Sequence, residues 1–89
     1  MTNQLRRAAV SIPSNIAEGH RRGYNKEFIQ YLKVARGSLA EVETQVIVSG
    51  EINYIDGNIA EEISKEIEEI GKMINGLINS LSANEQKTN

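Results

Sequence analysis

The residues with the most chemical potential in this 89-residue chain form a basic cluster next to its single histidine, His20. Arg21, Arg22 and Lys26 follow within six residues, and Lys33 lies about two helical turns further on. Cations at this density are typical of a surface that contacts phosphate groups, although a solvated loop has the same composition. We take these four cations as the candidate nucleic-acid site.

His20 lacks the companions that would make it a catalytic base or a metal ligand. The chain has no cysteine and no second histidine, and no carboxylate accompanies His20 at a suitable spacing. Glu41 and Glu43 are two residues apart, so they point to different sides of a helix and are poor candidates for a catalytic pair. We therefore predict no enzymatic activity, no cofactor, no metal site and no small-molecule substrate.

The charges are divided unevenly along the chain, although the net charge is only −2. Residues 1–36 carry seven cations and two acids, whereas residues 37–89 carry three cations and ten acids. This asymmetry indicates either a basic face for an anionic partner or two halves that attract each other within an assembly. The sequence alone does not choose between them.

No apolar stretch approaches the ~20 residues that a membrane-spanning helix needs. The first residues carry Arg6 and Arg7 with no apolar signal region after them. We therefore expect a cytoplasmic protein that does not enter a membrane.

Three amphipathic helices are predicted to carry these residues, at about 2–19, 25–49 and 57–81. In each segment the apolar residues alternate steps of four and three, which is the period of one helix face. The predicted face positions are Leu5, Ala9, Ile12 and Ile16 in the first helix, Phe28, Leu32, Ala35, Leu39, Val42 and Val46 in the second, and Ile63, Ile67, Ile70, Ile74, Leu77 and Leu81 in the third.

Boundary residues support this division. Gly19 is a suitable end for the first helix, and Asn25 and Asp56 are suitable N-caps for the second and third. Ile52, Tyr54 and Ile55 are expected to fold back over one end of the bundle. Residues 82–89 are predicted to be a disordered polar tail, so the predicted domain is 1–81.

The predicted fold class is an all-α antiparallel helical bundle with three helices in this chain. The apolar face is wider than a two-helix contact needs, because Ile29, Tyr31, Val34 and others lie off the main faces. We therefore expect that a fourth helix is missing or that another copy supplies it, which favours a homo-oligomer.

The segment from Gln4 to Gly19, QLRRAAVSIPSNIAEG, resembles the signature of a known family. The family comprises four-helix-bundle proteins encoded in intervening sequences of bacterial 23S ribosomal RNA genes. Glu27-Phe28, the run from Gly37 to Thr44, and Tyr54 are similar to its other motifs. Together these matches cover nearly everything from Gln4 to Leu81.

The resemblance implies a four-helix bundle, whereas this chain lacks the helix that usually precedes the Gln4 motif. Either the reading frame is truncated or a partner helix fills the gap. Several relatives look like ring-shaped homo-oligomers, typically pentamers. The accessory variability determinants of diversity-generating retroelements are similar in fold and bind nucleic acid and a reverse transcriptase through basic surfaces.

Arg6 and Arg7 lie inside the first signature, which favours a structural role for them. We predict that they form ion pairs with Glu41 or Glu43 on the adjacent helix. The leading functional hypothesis is a non-enzymatic, homo-oligomeric bundle that binds RNA or a nucleoprotein. The alternative is a structural or adaptor module that binds only protein, which the net acidity favours.

Overall fold

The chain folds as three α-helices, as the sequence predicts. The computed structural model describes the backbone of residues 2–87 and the side chains of Arg7 and of residues 10–83. Helix α1 spans Thr2–Arg22, α2 spans Asn25–Glu51 and α3 spans Gly57–Lys87. Short connections join them, so consecutive helices run antiparallel. The predicted all-α class and the three-helix count are confirmed.

Two predicted helix ends differ from the structure. Helix α1 continues past Gly19 to Arg22, because Gly19 is buried against α2 and Gly23, with φ of +81°, provides the left-handed turn instead. Helix α3 continues past Leu81 to Lys87, where a disordered tail was expected over 82–89. No glycine or proline interrupts residues 82–87, and several of them are good helix formers. Residues 88–89 lie outside the described part of the chain.

The predicted cap of α3 is confirmed and that of α2 is wrong. The Asp56 carboxylate accepts a hydrogen bond from the Asn58 backbone N–H at 2.8 Å, which satisfies one of the free donors at the start of α3. In α2 the cap position belongs to Tyr24, whose side chain makes no capping hydrogen bond, and Asn25 is already helical.

Helix α1 crosses α2 at a polar contact near Pro13. The Asn15 side-chain amide donates to the Ser11 carbonyl oxygen at 2.8 Å and to the Ser11 hydroxyl at 3.0 Å. The Ser11 hydroxyl lies 3.3 Å from the Ser38 hydroxyl on α2. This chain of side chains joins the proline-containing turn of α1 to the neighbouring helix.

Helix α2 lies between the other two. It packs closely against both α1 and α3, whereas over the described residues no Cα atom of α1 comes within 8 Å of one in α3. Among the described side chains, the buried apolar ones come from α2 and α3: Leu32, Ala35, Leu39 and Val46, with Ala60, Ile67, Ile74 and Ile78. The Cα atoms span 51 × 21 × 12 Å, so the three packed helices form a thin layer.

The buried arc of α3 does not coincide with its predicted apolar face. At about 100° per residue, the centre of the predicted face is rotated roughly 45° from the centre of the buried arc. Asn75 lies on the other flank of the buried arc from the predicted face, and it accepts a hydrogen bond from Arg36 of α2. The predicted face is therefore rotated away from α2. On α2 the predicted face and the buried arc share nearly the same centre, since that helix has a neighbour on each side.

A partly exposed apolar surface therefore runs along the inner sides of α1 and α3. On α3, Met73 is 73% exposed and Ile70 and Leu77 are about 40% exposed, at 42% and 38%. Half-buried residues complete the surface at the margin of the core: Ile12, Ile16, Ile63 and Leu81. We call the surface formed by these seven residues the open face.

Close helix approach makes one glycine sensitive to substitution. A Cβ added at Gly19 would lie 2.7 Å from the Tyr31 Cβ and 3.0 Å from the Phe28 ring. We predict that Gly19→Ala lowers the free energy of unfolding by about 1–3 kcal/mol through overpacking. Gly76→Ala is the matched control and should raise it by about 1 kcal/mol, because that helical position has open space. Chemical denaturation followed by circular dichroism measures both, and equal gains would contradict the close approach.

Candidate functional site

The connection between α1 and α2 gathers the predicted cations at one end of the molecule. Arg21 and Arg22 occupy the last turn of α1, and Lys26 lies in the first turn of α2. Only Gly23 and Tyr24 separate the helices, and the Gly23 N–H donates to the His20 carbonyl at 3.3 Å. Lys33 projects from α2 further along. We call the surface formed by Arg21, Arg22, Lys26 and Lys33 the basic end.

One carboxylate holds both arginines of this surface. Glu18 Oε2 lies 2.7 Å from Arg21 Nη2, and Glu18 Oε1 lies 3.2 Å from Arg22 Nε. Both pairs span one helical turn on α1 and are exposed to water, so they contribute little stability. They do lower the net positive charge that Arg21 and Arg22 present to an anionic partner. The arginines also suit the carboxyl end of α1, where cations complement the helix dipole.

Arg22 makes a further contact that ties α1 to α2. Its Nη2 donates to the Tyr31 hydroxyl at 3.0 Å, and its guanidinium carbon lies 5.6 Å from the centre of the Tyr31 ring. Tyr31 first, and then Glu18, raise the pKa of Arg22 above its ordinary value. Arg22 therefore stays charged and is oriented by its neighbours, as in a cation–π pair.

The two lysines differ from the arginines in having no such contacts. Lys26 and Lys33 are exposed and, among the described residues, form no hydrogen bond or ion pair. They are seven residues apart on the outer side of α2, so they face the same direction. The four predicted cations therefore divide into two arginines held by Glu18 and Tyr31 and two lysines on the outer side of α2. Sequence reasoning did not identify Glu18 and Tyr31 as partners of the arginines.

His20 packs as an aromatic ring beside this cluster. Its ring centre lies 5.7 Å from that of Phe28, in an edge-to-face arrangement with an interplanar angle of 82°. Within the described part of the chain, no three histidine, cysteine or acidic side chains come together in a way that would hold a metal ion.

The predicted ion pairs of Arg7 are not formed among the described side chains. Arg7, Glu41 and Thr44 line an open groove between α1 and α2, with Ser11 and Ser38 also along it. No ion pair within 4.0 Å joins Arg7 to Glu41 or Glu43. Arg7 and Glu41 are both exposed in this groove, where hydration competes with a direct contact. The Arg6 side chain lies outside the described residues, so its predicted pair stays a prediction.

The opposite end of the molecule holds a surface that sequence reasoning placed wrongly. Of the residues expected to fold back over the bundle, Ile55 is half-buried and packs against the core. Ile52 and Tyr54 instead point to solvent. The sequence contains a pattern typical of a solvent-exposed acidic surface here, because residues 37–64 combine these apolar residues with six acids and no lysine or arginine.

Over the described residues, none of the helices combines the length and the apolar character that crossing a membrane requires.

Two comparisons with known proteins indicate what this chain is related to. A search of curated proteins finds no match. The family model described as 23S rRNA-intervening sequence protein matches residues 1–76, which is most of the chain. This helical chain, with its basic end and its open face, therefore belongs to the 23S rRNA-intervening sequence protein family.

Proposed function

We propose that this protein is a non-enzymatic homo-oligomer that assembles through its open face and binds RNA with its basic end. The observation that carries the proposal is the displaced apolar face of α3, which is centred away from α2. An apolar face centred between two directions is typical of a helix that packs against two neighbours. Over the described residues, α2 is the helix whose backbone lies close along α3.

Helix α1 supports the same interpretation. Its hydrogen bonds and closest approach to α2 come from Ser11, Gly19 and Arg22. Ile12 and Ile16 lie on a neighbouring flank, where they pack against the margin of the core and stay half-exposed. Because α1 and α3 both run antiparallel to α2, their displaced apolar faces turn toward the same side. A helix from another copy placed there would contact α1 and α3 at once and complete a four-helix bundle.

Burial energetics favour association. Covering the side chains of Ile70, Met73 and Leu77 removes apolar area from water, and full burial of such a side chain contributes roughly 1.5–3 kcal/mol. A chain of 89 residues buries only ~60–65% of the surface that its unfolded form exposes, so added burial matters. The pentameric ring implied by the family resemblance is one assembly that supplies it.

The RNA part of the proposal rests on Lys26 and Lys33. They are exposed on one side of α2 without partners among the described residues. A single chain with a net charge of −2 offers few phosphate contacts, and affinity for RNA depends on their number. An oligomer multiplies the basic ends on one particle, so weak individual contacts add through multivalency.

A protein-only adaptor is the second candidate function, and the contacts of Arg21 and Arg22 favour it. Glu18 and Tyr31 already occupy both side chains. If these contacts persist in the presence of RNA, the basic end is mainly a structural link between α1 and α2. The variants described next separate the two candidates.

Removing apolar side chains from the open face should dissociate the assembly. We predict that wild type sediments as an oligomer at micromolar concentration, and that the triple variant Ile70→Ser, Met73→Ser, Leu77→Ser sediments as a monomer. The matched control replaces Val10, Val34 and Val48, which are exposed elsewhere, with serine and should leave the oligomer intact. A monomeric wild type, or equal dissociation of the control, would overturn the assembly proposal.

Removing the free lysines should weaken RNA binding in a salt-dependent manner. For Lys26→Ala with Lys33→Ala, each lost phosphate contact should reduce the slope of log affinity against log salt by about 0.7–0.9. Lys65→Ala with Lys72→Ala is the control of equal charge on α3 and should have no such effect. Fluorescence anisotropy with single- and double-stranded RNA measures the slopes. Absence of binding at low ionic strength would favour the protein-only adaptor.

Releasing the arginines from Glu18 should strengthen RNA binding. We predict that Glu18→Gln raises the affinity for RNA about threefold at low salt, because exposed ion pairs of this kind are worth well under 1 kcal/mol each. Glu62→Gln changes the net charge equally at the other end and should have a smaller effect. If both variants raise the affinity equally, net charge alone is responsible and the arginines do not contact RNA.

A further inference from the structure

The turn between α2 and α3 carries exposed apolar residues outside the open face. Ile52 and Tyr54 are 61% and 67% exposed, and Ile47 near the end of α2 is 45% exposed. We call these three residues the tip. Ile59 on α3 lies one turn before Ile63 and continues the open face, so it is not part of the tip. Helix α2 has the basic end at its start and the tip at its end, so the two surfaces lie at opposite ends of the layer.

Backbone hydrogen bonds fix the tip in place. The Ser49 carbonyl accepts from the Tyr54 N–H at 2.8 Å and from the Ile55 N–H at 3.2 Å. Asn53 adopts a left-handed conformation with φ of 61°, and its N–H donates to the Gly50 carbonyl at 3.2 Å. Because Ile55 is anchored in the core, a partner that contacts Ile52 and Tyr54 loses little free energy to ordering of the turn.

A groove of about 430 Å³ lies beside the tip, between α2 and α3. Its floor has almost no side chains, because Gly50, Gly57 and Ala60 line it. A Cβ on Gly50 would lie only 2.7 Å from the Ala60 Cβ, so the two helices meet closely at the bottom. Ile47 forms one apolar wall, and the rim carries Glu51, Glu61 and Ser64.

The charges around the groove determine which kind of side chain it can bind. Glu51 and Glu61 are exposed and form no ion pair among the described residues. Residues 37–64 contain six acids and no lysine or arginine. Lys65 lies one helical turn after Glu61 but forms no ion pair with it among the described residues. An apolar floor between two carboxylates fits the side chain of lysine or arginine, whose stem is apolar and whose head is charged.

We propose that the tip and its groove dock a basic amphipathic helix of another protein. A lysine or arginine stem of that helix lies along Gly50 and Ala60 with its cation between Glu51 and Glu61. Apolar residues one turn away cover Ile52 and Tyr54, in the manner of helix-in-groove recognition. Nucleic acid and anionic lipid do not suit this surface, because its acids repel phosphate.

A second copy of this chain fits the tip less well than a foreign helix. Among the described residues its unpaired lysines are Lys26, Lys33 and Lys65. Lys65 lies on α3 among the acids Glu61, Glu62, Glu66, Glu68 and Glu69, which oppose its approach to an acidic groove. Lys26 and Lys33 lie on an outer face of α2 that offers Gln30 between them and Gly37 and Ala40 beyond. That face has charge but no large apolar residue to cover Ile52 and Tyr54. The proposal is independent of the assembly and RNA binding proposed above.

The test titrates the full chain into a labelled synthetic helix of leucine, lysine and alanine with all leucines on one face. Anisotropy should show saturable binding. Glu51→Gln with Glu61→Gln should weaken it about fivefold, and Ile52→Ser with Tyr54→Ser roughly tenfold, from the usual worth of exposed ion pairs and of apolar contacts. All four side chains are exposed, so circular dichroism should show folding unchanged.

Two controls make the result decisive. Glu68→Gln with Glu69→Gln removes equal charge from the middle of α3 and should leave the affinity unchanged. A peptide of the same composition with its leucines spread around the helix should bind at least tenfold more weakly. Equal losses in both charge variants, or equal binding of the two peptides, would reduce the effect to nonspecific charge attraction and overturn the proposal. Dissociation of the oligomer by Ile52→Ser with Tyr54→Ser would also overturn it, because the occupant would then be a second copy.

Discussion

The packing of α2 between α1 and α3 is the constraint on which the rest of this structure depends. Leu32 and Ala35 are completely inaccessible to solvent because they sit where α2 faces both neighbours. The other two helices are each held on one side only. Over the described residues, no Cα atom of α1 comes within 8 Å of one in α3. Closure of these helices into a full bundle therefore depends on what covers the open face.

The same arrangement separates charge along the length of the layer. The turn at Gly23 places the end of α1 beside the start of α2, which collects the cations, while the turn at Asn53 lies in a stretch without any. Some of this charge is structural. Arg21 and Arg22 complement the carboxyl end of α1 and bind Glu18, and Arg22 reaches Tyr31 across the helix boundary. Charge patterning alone does not distinguish these contacts from a phosphate site, because both need the same residue types.

How well the sequence predicted each helix follows from the number of its neighbours. The predicted core positions of α2 include Leu32, Ala35, Leu39 and Val46, and these are buried, because a helix covered on both flanks buries the centre of its apolar pattern. On α3 the same reasoning selected Ile70 and Leu77, which are exposed, and missed Ala60 and Ile78. Periodicity finds the middle of an apolar face, whereas burial depends on which neighbour is present. Close helix approach occurs at Gly19 and Gly50, whereas Gly37 and Gly76 face open space. The position of a glycine in the sequence does not reveal where two helices cross.

The open face links the folding stability of each chain to its association with other chains. If a second chain covers the open face, part of the free energy that keeps each copy folded comes from the contact, and the unfolding midpoint then depends on protein concentration. Each added copy also brings a net charge of −2, so like charges accumulate as the particle grows. Segregated charge reduces that repulsion when the acidic stretch of one copy lies close to the basic end of its neighbour and far from the neighbour's acidic stretch. If copies of this chain assemble, the uneven charge distribution therefore has a physical role even where no phosphate is bound.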